Sequence, residues 1–366
     1  MEKEKEKEAG NPNPIKVGIS IGDVNGIGPE VIMKALKDAR ILLDCTPIIY
    51  GSNKVFAHYK KVLDEHDFNY QSCKIADEAH MRKINVVNVW NDDIDFQIGK
   101  VTTEGGKFAF LSLEKATQDL AAGKIDVLVT APISKEAMAK SGFQFPGHTE
   151  YLADLSGVSD ALMILISERL RVALVTTHIA LKEVNSALTK EKIVSKIKTF
   201  EASLKKDFGI VKPKIAVFGL NPHAGENGKM GSEEQEIILP AINLAKAENI
   251  LAFGPYPADG FFGSNACFNF DGVLAMYHDQ GLSAFKALAF EDGVNFTAGL
   301  PIVRTSPDHG TAFDISGQNK ASEHSMRSAI YAAMDIYRNR QFVKTIHSNP
   351  LPVSPKDKRK TTNGIE

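Results

Sequence analysis

Residues 271–316, DGVLAMYHDQGLSAFKALAFEDGVNFTAGLPIVRTSPDHGTAFDIS, carry the densest chemistry in the chain and set how the rest is read. The apolar run Val273–Met276 reads as a short buried strand, and Tyr277, His278, Asp279, Gln280 and Gly281 follow it at once. Lys286, Asn295, Arg304, Asp308 and His309 come next, on segments rich in glycine and proline. Buried polar groups without partners cost free energy, so donors and titratable groups this dense between apolar runs point to a ligand. The plainer alternative is a polar surface loop between two core elements.

Working outward, two more apolar runs end in the same way. RVALVTTHIAL, paired hairpin-like with LMILISE, ends in Thr176, Thr177 and His178, and PKIAVFGLNPHAGE ends in Asn221, Pro222 and His223. A lone histidine after a strand is an ordinary structural residue. Three of them (His178, His223, His278) in one topological position suggest a divalent metal, because three imidazoles leave coordination positions open for substrate. No zinc-finger or HExxH spacing occurs, so the site is spatial rather than local and open to assembly across a subunit interface.

Further upstream, FPGHTEYLADLSG places Gly147, His148, Thr149 and Glu150 at a helix start, with Thr149 positioned to cap and His148 to face an anion. IDVLVTAPIS leaves Thr130, Ala131, Pro132, Ser134 and Lys135 beyond the carboxyl end of a strand, where α/β sheets place ligands. Nearest the N-terminus, strand IKVGIS, loop GDVNGIGPE and helix VIMKALKDA form either an anion cradle or a tight βα turn. Gly22, Gly26 and Gly28 fit neither GxGxxG nor GxxxxGK[ST], which removes the Rossmann and P-loop readings.

TPIIYGS and INVVNVW supply further strands. VFAHYKKVLDEH, GGKFAFLSLEKATQDLAAG, SALTKEKIVSKIKTFEASLKKDFG, SEEQEIILPAINLAKAENI and SEHSMRSAIYAAMDIYRNRQF read as helices. GPYPADGFF reads as a turn-rich connection that brings Asp259 within reach of the site.

At 366 residues the chain suits two domains or one large α/β unit, and 43% hydrophobic with 24% charged residues is ordinary for a globular protein. A net charge of -2 argues against nucleic-acid or anionic-membrane partners. Cys45, Cys73 and Cys267 form no CxxC pair, which fits a reducing compartment. No apolar run reaches the ~18 residues of a membrane span, and MEKEKEKEAGNPNP lacks the apolar region of a signal peptide, so a cytoplasmic protein is expected. Residues 1–14 and 351–366 read as disordered tails around a folded unit over 15–350.

The candidate groups imply a reaction. A divalent ion on three imidazoles lowers the pKa of a bound alcohol and polarises the ketone formed from it. Lys286 and Arg304 suit carboxylate or phosphate, Arg304 with a bidentate fork, and His148 and Thr149 add donors for a second anionic group. Lys286 and His148 are the candidate catalytic residues. The set fits a small, doubly anionic hydroxy acid. The glycines and amides around Asp308, His309 and Gly310 offer a place for a dinucleotide.

In chain order, GDVNGIGPE, TAPISK, GHTEYLA, TTHIAL, GLNPHAGE, MYHDQGL and GLPIVRTSPDHGTAFDISG resemble the 4-hydroxythreonine-4-phosphate dehydrogenase (PdxA) family of pyridoxal phosphate biosynthesis, from Ile15 to the last helix. The first loop departs from the usual GDPAGIGPE at Val24 and Asn25. The resemblance implies two α/β domains in three α/β/α layers around a central cleft, similar to isocitrate and isopropylmalate dehydrogenases. It implies a homodimer with the active site at the subunit interface. His178, His223 and His278 would hold Zn2+, Mg2+ or Co2+, with one ligand from the partner subunit. His148, Thr149, Lys286, Asn295 and Arg304 would bind substrate, and NAD or NADP would be the oxidant. The implied reaction oxidises 4-phosphooxy-L-threonine to 2-amino-3-oxo-4-phosphooxybutanoate, which decarboxylates to 3-amino-2-oxopropyl phosphate for pyridoxine 5'-phosphate synthase. Similar proteins act on threonate or erythronate phosphates or on cis-dihydrodiols, and a non-catalytic metal- or phosphate-binding scaffold is the rival from another class.

Overall fold

The structure, a computed structural model, describes residues 14–349 except 146, 159 and 265. The expected tails lie outside the described residues, apart from Pro14, which is buried immediately before the first strand. Among the described residues are twelve strands: β1 Ile15–Ser20, β2 Cys45–Gly51, β3 Gln71–Cys73, β4 Asn85–Asn88, β5 Val127–Thr130, β6 Leu162–Ile166, β7 Arg171–Leu174, β8 Lys214–Phe218, β9 Leu251–Tyr256, β10 Gly272–Ala275, β11 Val294–Ala298 and β12 Arg304–Pro307.

They form one sheet in the order β3-β4-β2-β1-β5-β12-β11-β6-β7-β10-β8-β9. The strands from β3 to β12 are mutually parallel, and so are β7, β10, β8 and β9. Between these blocks the pairs β12–β11, β11–β6 and β6–β7 are antiparallel, so the blocks run in opposite senses. Strands β5, β6 and β10 are buried at every position, as expected where helices cover both faces.

Side chains alternate across a strand, and the two faces of this sheet differ. On one face Val17, Ile19, Val129, Ile164, Phe296, Val217 and Leu274 belong to a single core that crosses both blocks. Helices Gly28–Leu36, Lys190–Lys206 and His324–His347 cover it. The alanine and methionine stripe of the last helix (Met326, Ala329, Ala333, Met334) is part of that core.

The opposite face carries two separate cores. Ile48, Tyr50 and Leu128 pack with Leu113 and Ala116 of helix Thr103–Ala121, whereas Leu165, Val172, Ala216 and Val273 pack with Leu282 and Phe285 of helix His278–Ala289. The gap between them is polar. Arg304 pairs in register with Leu128, Ser306 with Asn295, Asn295 with Leu165 and Thr297 with Met163, so all project on this second face. The two cores are therefore divided by a floor of polar side chains on the central strands.

Helix Thr103–Ala121 begins where the Thr102 hydroxyl accepts from the Gly105 amide at 2.9 Å. Gly106 lets this helix touch Lys135–Lys140, since a Cβ there would lie 2.1 Å from the Ala137 carbonyl oxygen. One sequence expectation is corrected. GPYPADGFF ends edge strand β9 and enters helix Ala258–Gly263, where Asp259 is exposed and does not line the cleft described below. Asn295 and Arg304, on segments rich in glycine and proline, sit on strands β11 and β12. All three cysteines are free and buried, and no helix among the described residues is long and apolar enough to cross a membrane.

Candidate active site

A cleft of about 290 Å³ opens over the polar gap at the reversal of strand sense. Its lining includes Thr130 at the end of β5, Ala131 to Ile133 and Lys135 after it, Met163 of β6, Asn295 of β11, and Arg304, Ser306 and Pro307 of β12. His148, Thr149 and Glu150 enter from helix His148–Leu155, and Asp308, His309 and Gly310 follow β12. His278, Leu282 and Lys286 recur every four residues, so one face of helix His278–Ala289 meets the cleft. Every candidate residue for substrate and nucleotide thus reaches one site, as do two of the three candidate metal ligands. Thr297, Met163, Ser306 and Leu282 were missed by sequence reasoning. The signal for Met163, Thr297 and Ser306 was the alternation of β6, β11 and β12, two of which were not recognised as strands, and for Leu282 its four-residue spacing between His278 and Lys286 on one helix.

Arg304 dominates the electrostatics. It is 3% exposed and its partners are neutral: Nε and Nη2 donate to Thr130 Oγ1 at 3.0 and 2.5 Å, and Nη1 donates to Thr297 Oγ1 at 3.2 Å. No carboxylate forms an ion pair with it among the described residues, and burial, opposed by the more distant Glu150 carboxylate, lowers its pKa to about 10, so it remains a cation at neutral pH. A buried charge without a counter-charge costs several kcal/mol, roughly, unless a ligand neutralises it. Burial, followed by the charges of Arg304 and Lys135, holds the His148 imidazole well below its ordinary range and therefore neutral. Lys286 Nζ lies 3.7 Å from Asp308 Oδ2, and burial pushes the Asp308 carboxyl up against the opposing pull of Lys286.

Three buried polar atoms in this lining have no partner among the described residues: His148 Nε2, Asn295 Oδ1 and His309 Nε2. His309 Nδ1 faces the Gly310 carbonyl at 3.1 Å, which places the proton on Nδ1 and leaves Nε2 an acceptor. Unpaired buried groups are rare in proteins, and their gathering here marks a ligand site. Thr149 does not cap its helix. Gly147 occupies the N-cap position, while the Thr149 hydroxyl, inside the first turn, lies 3.5 Å from Thr297 Oγ1.

The candidate metal ligands follow the adjacent strands β7, β10 and β8. The His178 and His278 rings stand 5.9 Å apart between centroids. Asp279 Oδ1 lies 2.7 Å from His278 Nδ1, and Glu150 Oε1 lies 3.7 Å from His178 Nδ1. The Asp279 carboxylate on His278 Nδ1 leaves that ring's Nε2 for a metal, and Glu150 stands on the Nδ1 side of His178 at a longer distance, an arrangement compatible with two ligands of one ion. His223 is not with them. It is exposed on Pro222–Gly228, where residues 223–227 all have positive φ, and it does not line the cleft. Among the described residues of one chain, no three His, Cys, Asp or Glu side chains are placed to hold a metal. Gln280 ties the ends of β10 and β8 together, accepting from the Met276 amide and donating to the Gly219 carbonyl, each at 2.7 Å.

The loop GDVNGIGPE is a tight turn rather than an anion cradle. It is buried throughout, its Asn25, Gly26 and Ile27 amides bond to Asp23 and Thr311, and it does not line the cleft. Gly22 has φ +72°, and a Cβ there would lie 2.3 Å from the Pro132 carbonyl oxygen, so the turn buttresses the segment after β5.

Comparison with known proteins identifies the family of the chain. The family model described as "Pyridoxal phosphate biosynthetic protein PdxA" matches residues 43–333. A protein of Bacteroides thetaiotaomicron named 4-hydroxythreonine-4-phosphate dehydrogenase is 50% identical over 97% of each chain. One of Oceanobacillus iheyensis, named "Putative D-threonate 4-phosphate dehydrogenase", is 42% identical over 87% of this chain and 97% of its own. The crystal structure of 4-hydroxythreonine-4-phosphate dehydrogenase from Klebsiella pneumoniae superposes with a TM-score of 0.76 at 36% identity, covering 89% of this chain and 99% of that one.

Proposed function

Because this chain belongs to the PdxA family of pyridoxal phosphate biosynthetic proteins, we propose that it is an oxidoreductase acting on 4-phosphooxy-L-threonine with NAD or NADP. The overall reaction gives 2-amino-3-oxo-4-phosphooxybutanoate, and loss of carbon dioxide from that β-keto acid gives 3-amino-2-oxopropyl phosphate. The observation that carries the reading is Arg304, a buried cation with only neutral partners at the floor of the cleft. An anion bound there offsets the cost of burying the charge.

In this reading Arg304 and Lys286 bind the anionic groups of the substrate, and His148, Thr149 and Asn295 bind its neutral and polar atoms. Lys286 also supplies positive charge beside the reacting alcohol. Asp308, His309 and Gly310, on the segment leaving β12, face the nucleotide. His178 and His278 of one chain, with His223 of the partner subunit, would hold a divalent metal, which supplies Lewis acidity to the alcohol oxygen. A homodimer follows from that ligand set, and the two blocks of the sheet act as two domains about the cleft. The next enzyme along is one that condenses the aminoketone phosphate, as pyridoxine 5'-phosphate synthase does.

The test is reduction of NAD(P) with 4-phosphooxy-L-threonine, with and without a chelator. Chelator-sensitive turnover is expected, and its absence under metal-replete conditions rejects the reading. The 42% identical relative named for D-threonate 4-phosphate supports a second reading with the same chemistry on a hydroxy acid. A kcat/KM higher on D-threonate 4-phosphate than on the amino acid would select it.

A further inference from the structure

We propose that Thr130 and Thr297 are positioning residues, two neutral hydroxyls that fix the plane of the Arg304 guanidinium and leave one N–H on each terminal nitrogen for a substrate oxyanion. The inference rests on the reading of Arg304 as an anion-binding residue. The strand order β5-β12-β11 places Arg304 between the two threonines, and register puts all three on the cleft face. Both threonines are fully buried.

A guanidinium has five N–H donors. Thr130 Oγ1 takes one from Nε and one from Nη2, at 3.0 and 2.5 Å, and Thr297 Oγ1 takes one from Nη1 at 3.2 Å. One N–H remains on Nη1 and one on Nη2, the pair that matches two oxygens of a carboxylate or phosphate. A planar group held at three of its donors cannot turn this edge away. The choice of hydroxyls has an electrostatic consequence: a carboxylate at either position would fix the fork equally well but neutralise it and compete with the ligand. The Thr297 hydroxyl also lies 3.5 Å from Thr149 Oγ1, which links the fork to helix His148–Leu155.

The experiment compares wild type, Thr130→Val, Thr130→Ser, Thr297→Val and Arg304→Gln. Steady-state KM and kcat and calorimetric binding of 4-phosphooxy-L-threonine are measured, with melting temperature and nucleotide KM as controls. Valine keeps the shape of threonine and removes the acceptor. Thr130→Val is expected to weaken substrate binding at least about tenfold while kcat and nucleotide KM change little. Thr297→Val, which frees one donor, is expected to weaken it by a few-fold, and Thr130→Ser to restore wild-type binding to within about twofold. If Arg304→Gln binds substrate like wild type, the reading of Arg304 fails and the inference with it. If Arg304→Gln is impaired but folded Thr130→Val and Thr297→Val bind normally, the inference alone is overturned. Thr130→Ser as weak as Thr130→Val also overturns it, by assigning the loss to packing. Should Thr130→Val not fold, Thr297→Val decides.

Discussion

At the scale of single residues, the site trades stability for binding. Arg304 is held without a directly bonded carboxylate, only the more distant Glu150 opposing its burial, so removing the charge relieves a desolvation cost that the empty protein carries. Arg304→Met is expected to unfold at higher urea than wild type, by about 1 kcal/mol or more, while kcat/KM falls roughly 30- to 1000-fold. Equal or lower stability would mean that the neutral threonines already compensate the charge. His148 gives a second test through pH. Its pKa in the folded protein is well below 6.5, the ordinary value, so on the acid side the unfolded chain binds a proton that the folded one refuses. Stability from this group is therefore present above the unfolded pKa and is lost as pH falls below it. Urea unfolding at pH values above and below 6.5 is expected to show a smaller acid-side loss in His148→Gln than in wild type. The same slope in both would place the titration elsewhere.

At the scale of elements, the cleft is shaped by close backbone approaches as much as by side chains. Gly106 admits the contact between helices Thr103–Ala121 and Lys135–Lys140, and the latter follows directly on the segment 130–134 along the cleft. Alanine there would place a Cβ 2.1 Å from the Ala137 carbonyl oxygen, against backbone that cannot turn aside. Gly106→Ala is expected to destabilise the protein by roughly 1–3 kcal/mol and to raise substrate KM, since the neighbouring helix has to move. Unchanged melting with unchanged KM would show that the interface has slack. The same logic explains Gly22, whose positive φ and contact with Pro132 let the first turn brace the strand that carries Thr130.

At the scale of the whole molecule, His223 is the residue that a single chain leaves out. The strands that His178, His278 and His223 follow are neighbours, yet His223, on the turn of positive φ over residues 223–227, does not line the cleft that holds the pair. If His223 serves the partner's cleft, two inactive variants rescue each other. Mixing His223→Ala with His278→Ala under subunit exchange is expected to restore about a quarter of wild-type activity, because half the dimers are mixed and each holds one intact site. No recovery after demonstrated exchange would reject a shared site.

The alternation of apolar strands and amphipathic helices determined an α/β protein, and the ordered motifs determined its family resemblance and the residues gathered in the cleft. His148, Lys286 and Arg304 were legible because polar groups crowded between apolar runs have few structural uses. The strands β11 and β12 were not legible: each is only four or five residues long, and glycine and proline on their flanks mimic loops. The neutrality of Arg304's partners was equally hidden, since Thr130 and Thr297 flank it only after β12 inserts between β5 and β11. Local periodicity is a property of neighbouring residues and survives in the sequence. Which strands lie side by side, and hence which buried charge has only hydroxyls bonded to it, is decided only when distant segments pair.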